Sequence, residues 1–274
     1  MTSPPPRRRL DAELVRRGLA SSRTQAQEAI AQGLVTVDGA PASKAASQVH
    51  AAQALVVAAP PRAYVSRGGE KLAHALDRFE VDPTGRRCLD AGVSTGGFTD
   101  CLLQRGAAHV LAYDVGYGQV HDRLRRDERV SVHERTNVRD LTPDDVPAPP
   151  PDLLVADLSF IALRLVLPGL RRLVAADAEA VVLVKPQFEA ARGEVGKGGV
   201  VRDPQVWARV LREVATVAAE VGWVGFDATA SPLLGPAGNV EFLAHLTGTP
   251  GSEDAGARGE QAVAEGRRRR EGGA

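Results

Sequence analysis

From residue 87 onward the chain alternates short apolar runs with longer segments of helical period. Arg87-Cys88-Leu89, His109 to Asp114, Val130 to His133, Asp152 to Asp157 and Ala180 to Lys185 read as five strands. The near-continuous apolar run of the fourth suits a parallel strand buried on both faces. Thr99 to Gly106 reads as a short helix stopped by glycine. Pro204 to Val221 reads as a long one, with Val206, Val210, Val214 and Val217 along one side. Trp223 to Ala228 and Val240 to Leu246 close the sheet, which makes this part a doubly wound α/β domain. Ahead of it, Gly68-Gly69-Glu70 opens a helix over Lys71 to Phe79. Leu72, Leu76 and Phe79 share one face of that helix, and Lys71 lies near its start beside that face.

The first sixty residues are patterned differently. Leu10, Leu14 and Val15 give a short helix that ends near Gly18. Ser22-Arg23-Thr24-Gln25 is a capping box, and Ala26, Ala29 and Ile30 then form one buried stripe, with Gly33 at the helix end. Leu34 to Val37 followed by Asp38-Gly39 signals a hairpin, and Val49 to Ala58 reads as a further strand. The expected organisation is a disordered start over 1–9, a small α/β module over 10–60 and a linker over 61–67. The larger α/β domain follows over 68–247, and a disordered tail over 248–274, where the composition turns to Gly, Ala, Glu and Arg.

Net charge over the 274 residues is zero, but its distribution is uneven. Residues 1–62 carry eight Arg or Lys against four acids. That balance points to a polyanion-binding module, or to a basic face without a partner. Arg267 to Arg270 reads as a solvated charge run. Cys88 and Cys101 have no metal-ligand spacing and read as buried reduced thiols, which suits the cytoplasm. The proline- and arginine-rich start has no apolar stretch of the secretory kind, and no run approaches the ~18 apolar residues of a membrane span. A cytoplasmic monomer without a metal or a membrane partner is expected.

The densest chemistry lies in Asp90-Ala-Gly-Val-Ser-Thr-Gly-Gly-Phe98. It follows a strand and opens a helix, as the first half of a nucleotide-type unit does. The turn lacks G-x-G-x-x-G spacing, and a carboxylate at the end of the first strand suits a cationic ligand better than a pyrophosphate. S-adenosylmethionine (SAM) is therefore favoured over a nicotinamide dinucleotide. Asp90, Gly92, Ser94, Thr95, Gly96, Gly97 and Phe98 are candidate contacts. Asp114 ends the second strand, where an acid can accept both ribose hydroxyls of a nucleoside. Asn137 follows the third, positioned for an adenine edge or simply forming a turn. Asp157 and Lys185 end the fourth and fifth strands beside the expected methyl group, either as a reacting pair or as a structural ion pair. The segment Asp157-Leu158-Ser159-Phe160 lacks the prolines typical of amino-group methylation. Neither cysteine ends a strand as a base-attacking nucleophile would. Lys and Asp at these ends fit the activation of a hydroxyl.

Two resemblances add to this reading. Arg9-Leu10-Asp11 through Gly18-Leu19-Ala20, Ser22-Arg23 with Ala26, and Gly33-Leu-Val-Thr-Val-Asp-Gly39 resemble an S4 RNA-binding domain. By that resemblance Arg16, Arg23 and Lys44 are candidate phosphate contacts. The second covers almost the full chain: Tyr64-Val-Ser-Arg-Gly-Gly-Glu-Lys71, the Asp90–Asp100 turn, Asp114-Val-Gly-Tyr-Gly-Gln119, Glu134-Arg-Thr-Asn137, Asp157-Leu-Ser-Phe160, Val184-Lys-Pro-Gln-Phe188, Val195 to Pro204 and Ser231 to Glu241 are similar to the TlyA family. Its members join an S4 domain to an FtsJ-like methyltransferase domain and methylate the ribose 2′-hydroxyl of cytidines in ribosomal RNA. The resemblance implies a Lys-Asp-Lys-Glu catalytic set at Lys71, Asp157, Lys185 and Glu241, and ribosomal subunits as partners. Lys185 would orient the 2′-hydroxyl, and either take its proton or stabilise the developing alkoxide. Arg67 in the linker, and Lys197 and Arg202 around a glycine-rich Gly193–Gly199 loop expected to be mobile, are further candidate RNA contacts. Two departures stand out: Tyr64 where relatives commonly carry tryptophan, and Ala162 where serine is usual. Three rival readings are a pore-forming haemolysin, which requires a membrane-active segment, a nicotinamide-dependent oxidoreductase, and a non-catalytic RNA-binding assembly factor.

Overall fold

Leu10 and Leu14, one helical turn apart, fall on the same side as Ala26 and Ile30 of the next helix, and these four side chains seed the first core. A computed structural model describes residues 7–20, 22–58, 63–251 and 254–272, and divides the chain into units of residues 1–62 and 63–274. The first unit runs β1 (Arg7–Arg9), α1 (Leu10–Arg16), α2 (Arg23–Ala31), β2 (Val35–Val37), β3 (Ala40–Pro41), β4 (Gln48–His50) and β5 (Leu55–Val57). Ser22 Oγ caps α2 by accepting the Gln25 N–H. Strand β2 lies between β3 and β5 in one antiparallel sheet, and β1 pairs with β4 in another.

Two expectations for this unit are corrected. Residues 7–9 of the segment expected to be disordered form β1; residues 1–6 lie outside the described residues. The single strand expected over Val49 to Ala58 is two strands separated by a polar turn. Gln53 builds that turn: its side chain accepts the His50 N–H and donates to Asp38 Oδ2, while Arg17 donates to the Gln53 and Ala51 carbonyls. No periodicity in Val49–Ala58 announces a bend held by a distant arginine.

The arginines counted as a basic surface are largely spoken for. Asp11 and Glu13 are buried. Asp11 pairs with Arg9 and Arg23 and also accepts from Gln27, while Glu13 pairs with Arg16 and Arg17. The Arg9 hydrogen bond holds Asp11 well below the usual carboxylate range, and that of Arg16 draws Glu13 down to about 2. Both acids thus bind protons more weakly folded than unfolded. The stability they confer is complete above pH ~4.5 and is lost as pH falls toward 2. Amide protection over residues 10–57, measured by hydrogen exchange, should weaken over that interval; protection unchanged from pH 5 to 2.5 would contradict the pairing.

The second unit runs α3 (Arg67–Phe79), β6 (Arg87–Ala91), α4 (Gly97–Gln104), β7 (His109–Tyr113), α5 (Asp122–Arg125), β8 (Val130–His133), β9 (Leu153–Ala156), α6 (Leu163–Arg171), β10 (Glu179–Val184), α7 (Pro186–Glu189), α8 (Pro204–Glu220), β11 (Gly225–Ala230), β12 (Phe242–Thr247) and α9 (Ala255–Gly272). Its sheet has the order β11-β12-β10-β9-β6-β7-β8, with β12 antiparallel to both neighbours and the remaining pairings parallel. The chain winds outward from β6 to β8, then returns to β9 on the other side of β6. The β6–β9 boundary is therefore the topological switch point, where ligands of such sheets bind beyond the strand ends. Buried clusters cover both faces of the sheet. The deepest indoles are satisfied there, with Trp207 Nε1 donating to Val201 O and Trp223 Nε1 to Ala178 O.

Residues 63–67, expected to be linker, pack within this unit: the Val65 N–H donates to Asp100, and Ser66 Oγ caps α3, which begins at Arg67. Residues 61–62 lie outside the described residues. The tail expected to be disordered contains α9, with 252–253 and 273–274 outside the described residues. Gly259, Ala262, Val263 and Gly266 form its buried stripe, at i, i+3, i+4 and i+7. A Cβ at Gly266 would stand 2.9 Å from Val240 Cγ1, so glycine there lets the helix approach the sheet. Composition hides such a helix because small residues contribute little apolar signal. No helix among the described residues is long and apolar enough to cross a membrane.

Candidate active site

At the switch point the loop leaving β6 passes directly over the end of β9. Gly92 makes this possible: it has φ +92°, and a Cβ there would stand 2.6 Å from the Asp157 carbonyl oxygen. The loop is tied on its other side to the end of β7. The Gly92 N–H donates to the Tyr113 carbonyl, and Asp114 accepts from the Ser94 N–H at 2.7 Å and from the Gly116 N–H at 2.7 Å. Asp114 thus stands at the mouth of a cavity of about 350 Å³, lined also by Thr136, Asn137, Leu158, Phe160 and Ile161. A smaller chamber of about 130 Å³ is lined by Ser66, Arg67, Lys71, Thr95, Gly97 and Phe98, among others. Gly92, Ser94 and Asp157 line both chambers, so the two are contiguous.

The four side chains of the expected catalytic set form two ion pairs. Lys71 Nζ donates to Glu241 Oε2 at 2.5 Å, and both side chains are buried. Leu72, Ala75 and Leu76 fix the pose of Lys71 by burying the adjacent face of α3. Lys185 Nζ lies 2.6 Å from Asp157 Oδ1 and donates to Ser159 Oγ at 2.8 Å. Lys185 immediately precedes α7, whose Gln187 reaches Glu241 Oε1 at 3.4 Å, linking the two pairs. Ser159, Gln187 and Ser66 have no signal in the sequence pattern, since isolated polar residues in loops and in a single helical turn show no periodicity. Phe160 was also passed over. It is 92% exposed with φ +64°, an unusual state for a bulky side chain.

Asp90 is placed differently from expectation. Its Oδ2 accepts from Thr99 Oγ1 at 2.6 Å, its Oδ1 is buried without a partner, and it lines neither chamber. Gly96 also stays off both walls, serving as the residue before α4. Burial, reinforced by the neighbouring Asp157 and Asp114 charges, pushes the Asp90 carboxyl up to about 7. An unfolded chain releases this proton near pH 4 and the folded chain holds it to about 7. This group therefore lowers stability progressively as pH rises between those values. Asp90→Asn should raise the thermal midpoint over the parent at pH 8 and leave it unchanged at pH 4. Equal shifts at both values would refute a buried neutral carboxyl.

Burial pushes Cys88 up to about 12 and Cys101 up to about 11, so neither supplies a thiolate near neutrality. No metal-binding cluster of His, Cys, Asp or Glu occurs among the described residues. The departures from family pattern have local explanations. Tyr64 lies over Gly69, where a Cβ would come within 2.2 Å of the ring. Ala162 gives α6 no side-chain cap, and the buried Glu189 carboxylate accepts the Leu163 N–H instead.

Of the expected RNA contacts, Arg67 borders the smaller chamber and donates to Leu234 O at 2.9 Å. Lys44, Lys197 and Arg202 are exposed. Arg16 and Arg23 are exposed but tied to Glu13 and Asp11, so neither is a free cation. The Gly193–Gly199 stretch, expected as a mobile loop, is a turn closed by Gly196 N–H to Val200 O and held by Asn239 to Gly199 O.

Comparison with known proteins gives the same organisation. Residues 64–247 match the FtsJ-like methyltransferase model and residues 8–54 the S4 domain. The 16S/23S rRNA (cytidine-2'-O)-methyltransferase TlyA of Mycobacterium tuberculosis is 57% identical over 241 residues, covering 88% of this chain and 90% of that one. Hemolysin A of Brachyspira hyodysenteriae is 38% identical over 238 residues, covering 87% and 99%. A solved structure from Streptococcus thermophilus superposes with a TM-score of 0.71 at 37% identity, covering 98% of each chain. The chain belongs to the TlyA family, in which an S4 domain precedes an FtsJ-like methyltransferase domain.

Proposed function

We propose that this protein transfers a methyl group from SAM to the ribose 2′-hydroxyl of cytidine in 16S or 23S ribosomal RNA, or both, acting in the cytoplasm on ribosomal subunits. The observation that carries the reading is the pair of lysine–carboxylate contacts, Lys71–Glu241 and Lys185–Asp157, beside contiguous chambers at the switch point. The lining fits SAM. The Gly92 cradle would be filled by any Cβ, Asp114 offers lone pairs to vicinal hydroxyls, Asn137 offers an amide to a base edge, and Asp157 offers an anion to a cationic centre.

When bound, SAM supplies an electrophilic methyl group on a sulfonium. Displacement at such a methyl needs in-line positioning more than covalent help. Lys185 holds the 2′-oxygen with a lone pair directed at the methyl and stabilises negative charge as it develops on that oxygen, the hydroxyl proton passing to Lys185 where its amine is neutral and otherwise to water. Asp157 and Ser159 hold the ammonium in place. Lys71, locked by Glu241, adds a second fixed cation to the rim. Phe160 offers an aromatic face to the incoming nucleotide.

The test is incubation with methyl-labelled SAM and separated, unmodified 30S and 50S subunits, followed by digestion to nucleosides. Labelled 2′-O-methylcytidine is expected, and the labelled subunit identifies the target. Label on a base would overturn the role given to the four residues, and absence of label on both subunits would overturn the enzymatic reading.

A further inference from the structure

Lys71, His74 and Arg78 lie at i, i+3 and i+7 of α3 and so share one face. Lys71 belongs to the smaller chamber of the active site. About 5 and 10 Å farther along the helix axis, from its ~1.5 Å rise per residue, His74 and Arg78 form one wall of a separate cleft of about 640 Å³. The facing wall is α9, through Arg268 and Arg269. Leu234 lines both this cleft and the chamber holding Lys71 and Asp157, so the two adjoin at that residue.

The way α9 is anchored leaves those arginines available. Its small-residue stripe packs on the sheet, and Glu265 accepts from Thr229 Oγ1 at 2.7 Å and from the Ala230 N–H at 3.1 Å. Arg268 and Arg269 are exposed, and neither makes a hydrogen bond or ion pair among the described residues. Arg78 only approaches Asp227, at 3.8 Å. Glu265, the one carboxylate among the described residues of the cleft wall, is already committed to the sheet edge. Two guanidinium groups, Arg268 and Arg269, therefore face the groove without an ion-pair partner among the described residues, beside an Arg78 that Asp227 neutralises only from 3.8 Å. α9 also lies beyond residues 64–247, the span matched to the FtsJ-like model.

We propose that the α3–α9 cleft is an RNA subsite that holds backbone phosphates of the substrate strand beside the nucleotide presented to Lys185, an inference that rests on the rRNA reading above. Guanidinium forks match phosphate oxygens in geometry and charge. Leu233 and Leu234 give the strand an apolar floor between the two sites.

The test uses the full chain carrying Arg268→Ala and Arg269→Ala together, with Arg268→Lys plus Arg269→Lys as the charge-retaining control. Loss of two phosphate contacts should flatten the slope of log K against log[salt] for protein-free rRNA by about 1.4 to 1.8. The KM for ribosomal subunits should rise about tenfold, with kcat, SAM affinity and melting temperature unchanged, and the lysine pair should restore the slope. An unchanged slope and KM would overturn the proposal. A KM change on intact subunits without any change on protein-free rRNA would also overturn it, and would assign the cleft to a ribosomal protein. Failure of the parent chain to methylate either subunit would count against the enzymatic reading instead, and the salt slope would still decide the subsite.

Discussion

Replacing Lys185 with alanine should reduce methyl transfer by about 10³-fold or more, equivalent to about 4 kcal/mol of transition-state stabilisation. SAM affinity should stay within about threefold, because Lys185 lines neither chamber wall and Asp114, Asn137 and the Gly92 loop are untouched. The effect on folding should be small by comparison. Lys185 is held at the end of β10 by a pair whose other member, Asp157, keeps partial contact with water, so the orphaned carboxylate can be resolvated. Single-turnover methylation of the target subunit, with calorimetric titration of SAM, separates the two quantities. Turnover close to that of the parent would remove Lys185 from the chemistry and return the Lys185–Asp157 contact to a structural ion pair. A parallel loss of SAM binding would mean that the lysine shapes the pocket rather than the reacting oxygen.

The strand ends were legible in the sequence because each polar residue there closes an apolar run. Asp114, Asp157 and Lys185 all stand at or just past the ends of β7, β9 and β10. Asp90 broke the pattern: it sits inside β6 and beneath the loop rather than on the wall, and period-two reasoning cannot distinguish an end from a penultimate position. The pairing of Lys71 with Glu241 could not come from spacing, since 170 positions separate them; only the family resemblance put them together. Charge was the least legible property. Arg16, Arg23 and Arg9 counted as surface cations in the composition, yet Asp11 and Glu13 hold them. Arg268 and Arg269, part of a run that reads as solvated, line a cleft and have no hydrogen-bond or ion-pair partner among the described residues. Composition counts charges, whereas binding depends on which of them lack a partner. The helix that presents them was invisible for a related reason. Its buried stripe is glycine, alanine and one valine, which pack closely but register as disorder.

Glu241→Gln is expected to have the largest effect on stability. Lys71 and Glu241 are both buried, and a neutral amide would leave an ammonium without its counter-charge in the protein interior. Breaking such a pair from one side costs about 3–5 kcal/mol, which for a unit of this size lowers the melting temperature by roughly 10 °C. Methyl transfer should fall as well, but the single variant cannot separate a damaged fold from a damaged site. The double variant Lys71→Met with Glu241→Leu can, because replacing both members of a buried ion pair with apolar side chains is often neutral or stabilising. Its melting temperature should recover to near that of the parent. Its transfer rate should stay about 10²-fold or more below the parent, because the fixed cation at the rim of the chamber is gone. A double variant that both folds and methylates normally would reduce Lys71 and Glu241 to a structural strut between α3 and the loop entering β12. The chemistry would then rest on Lys185 and Asp157 alone.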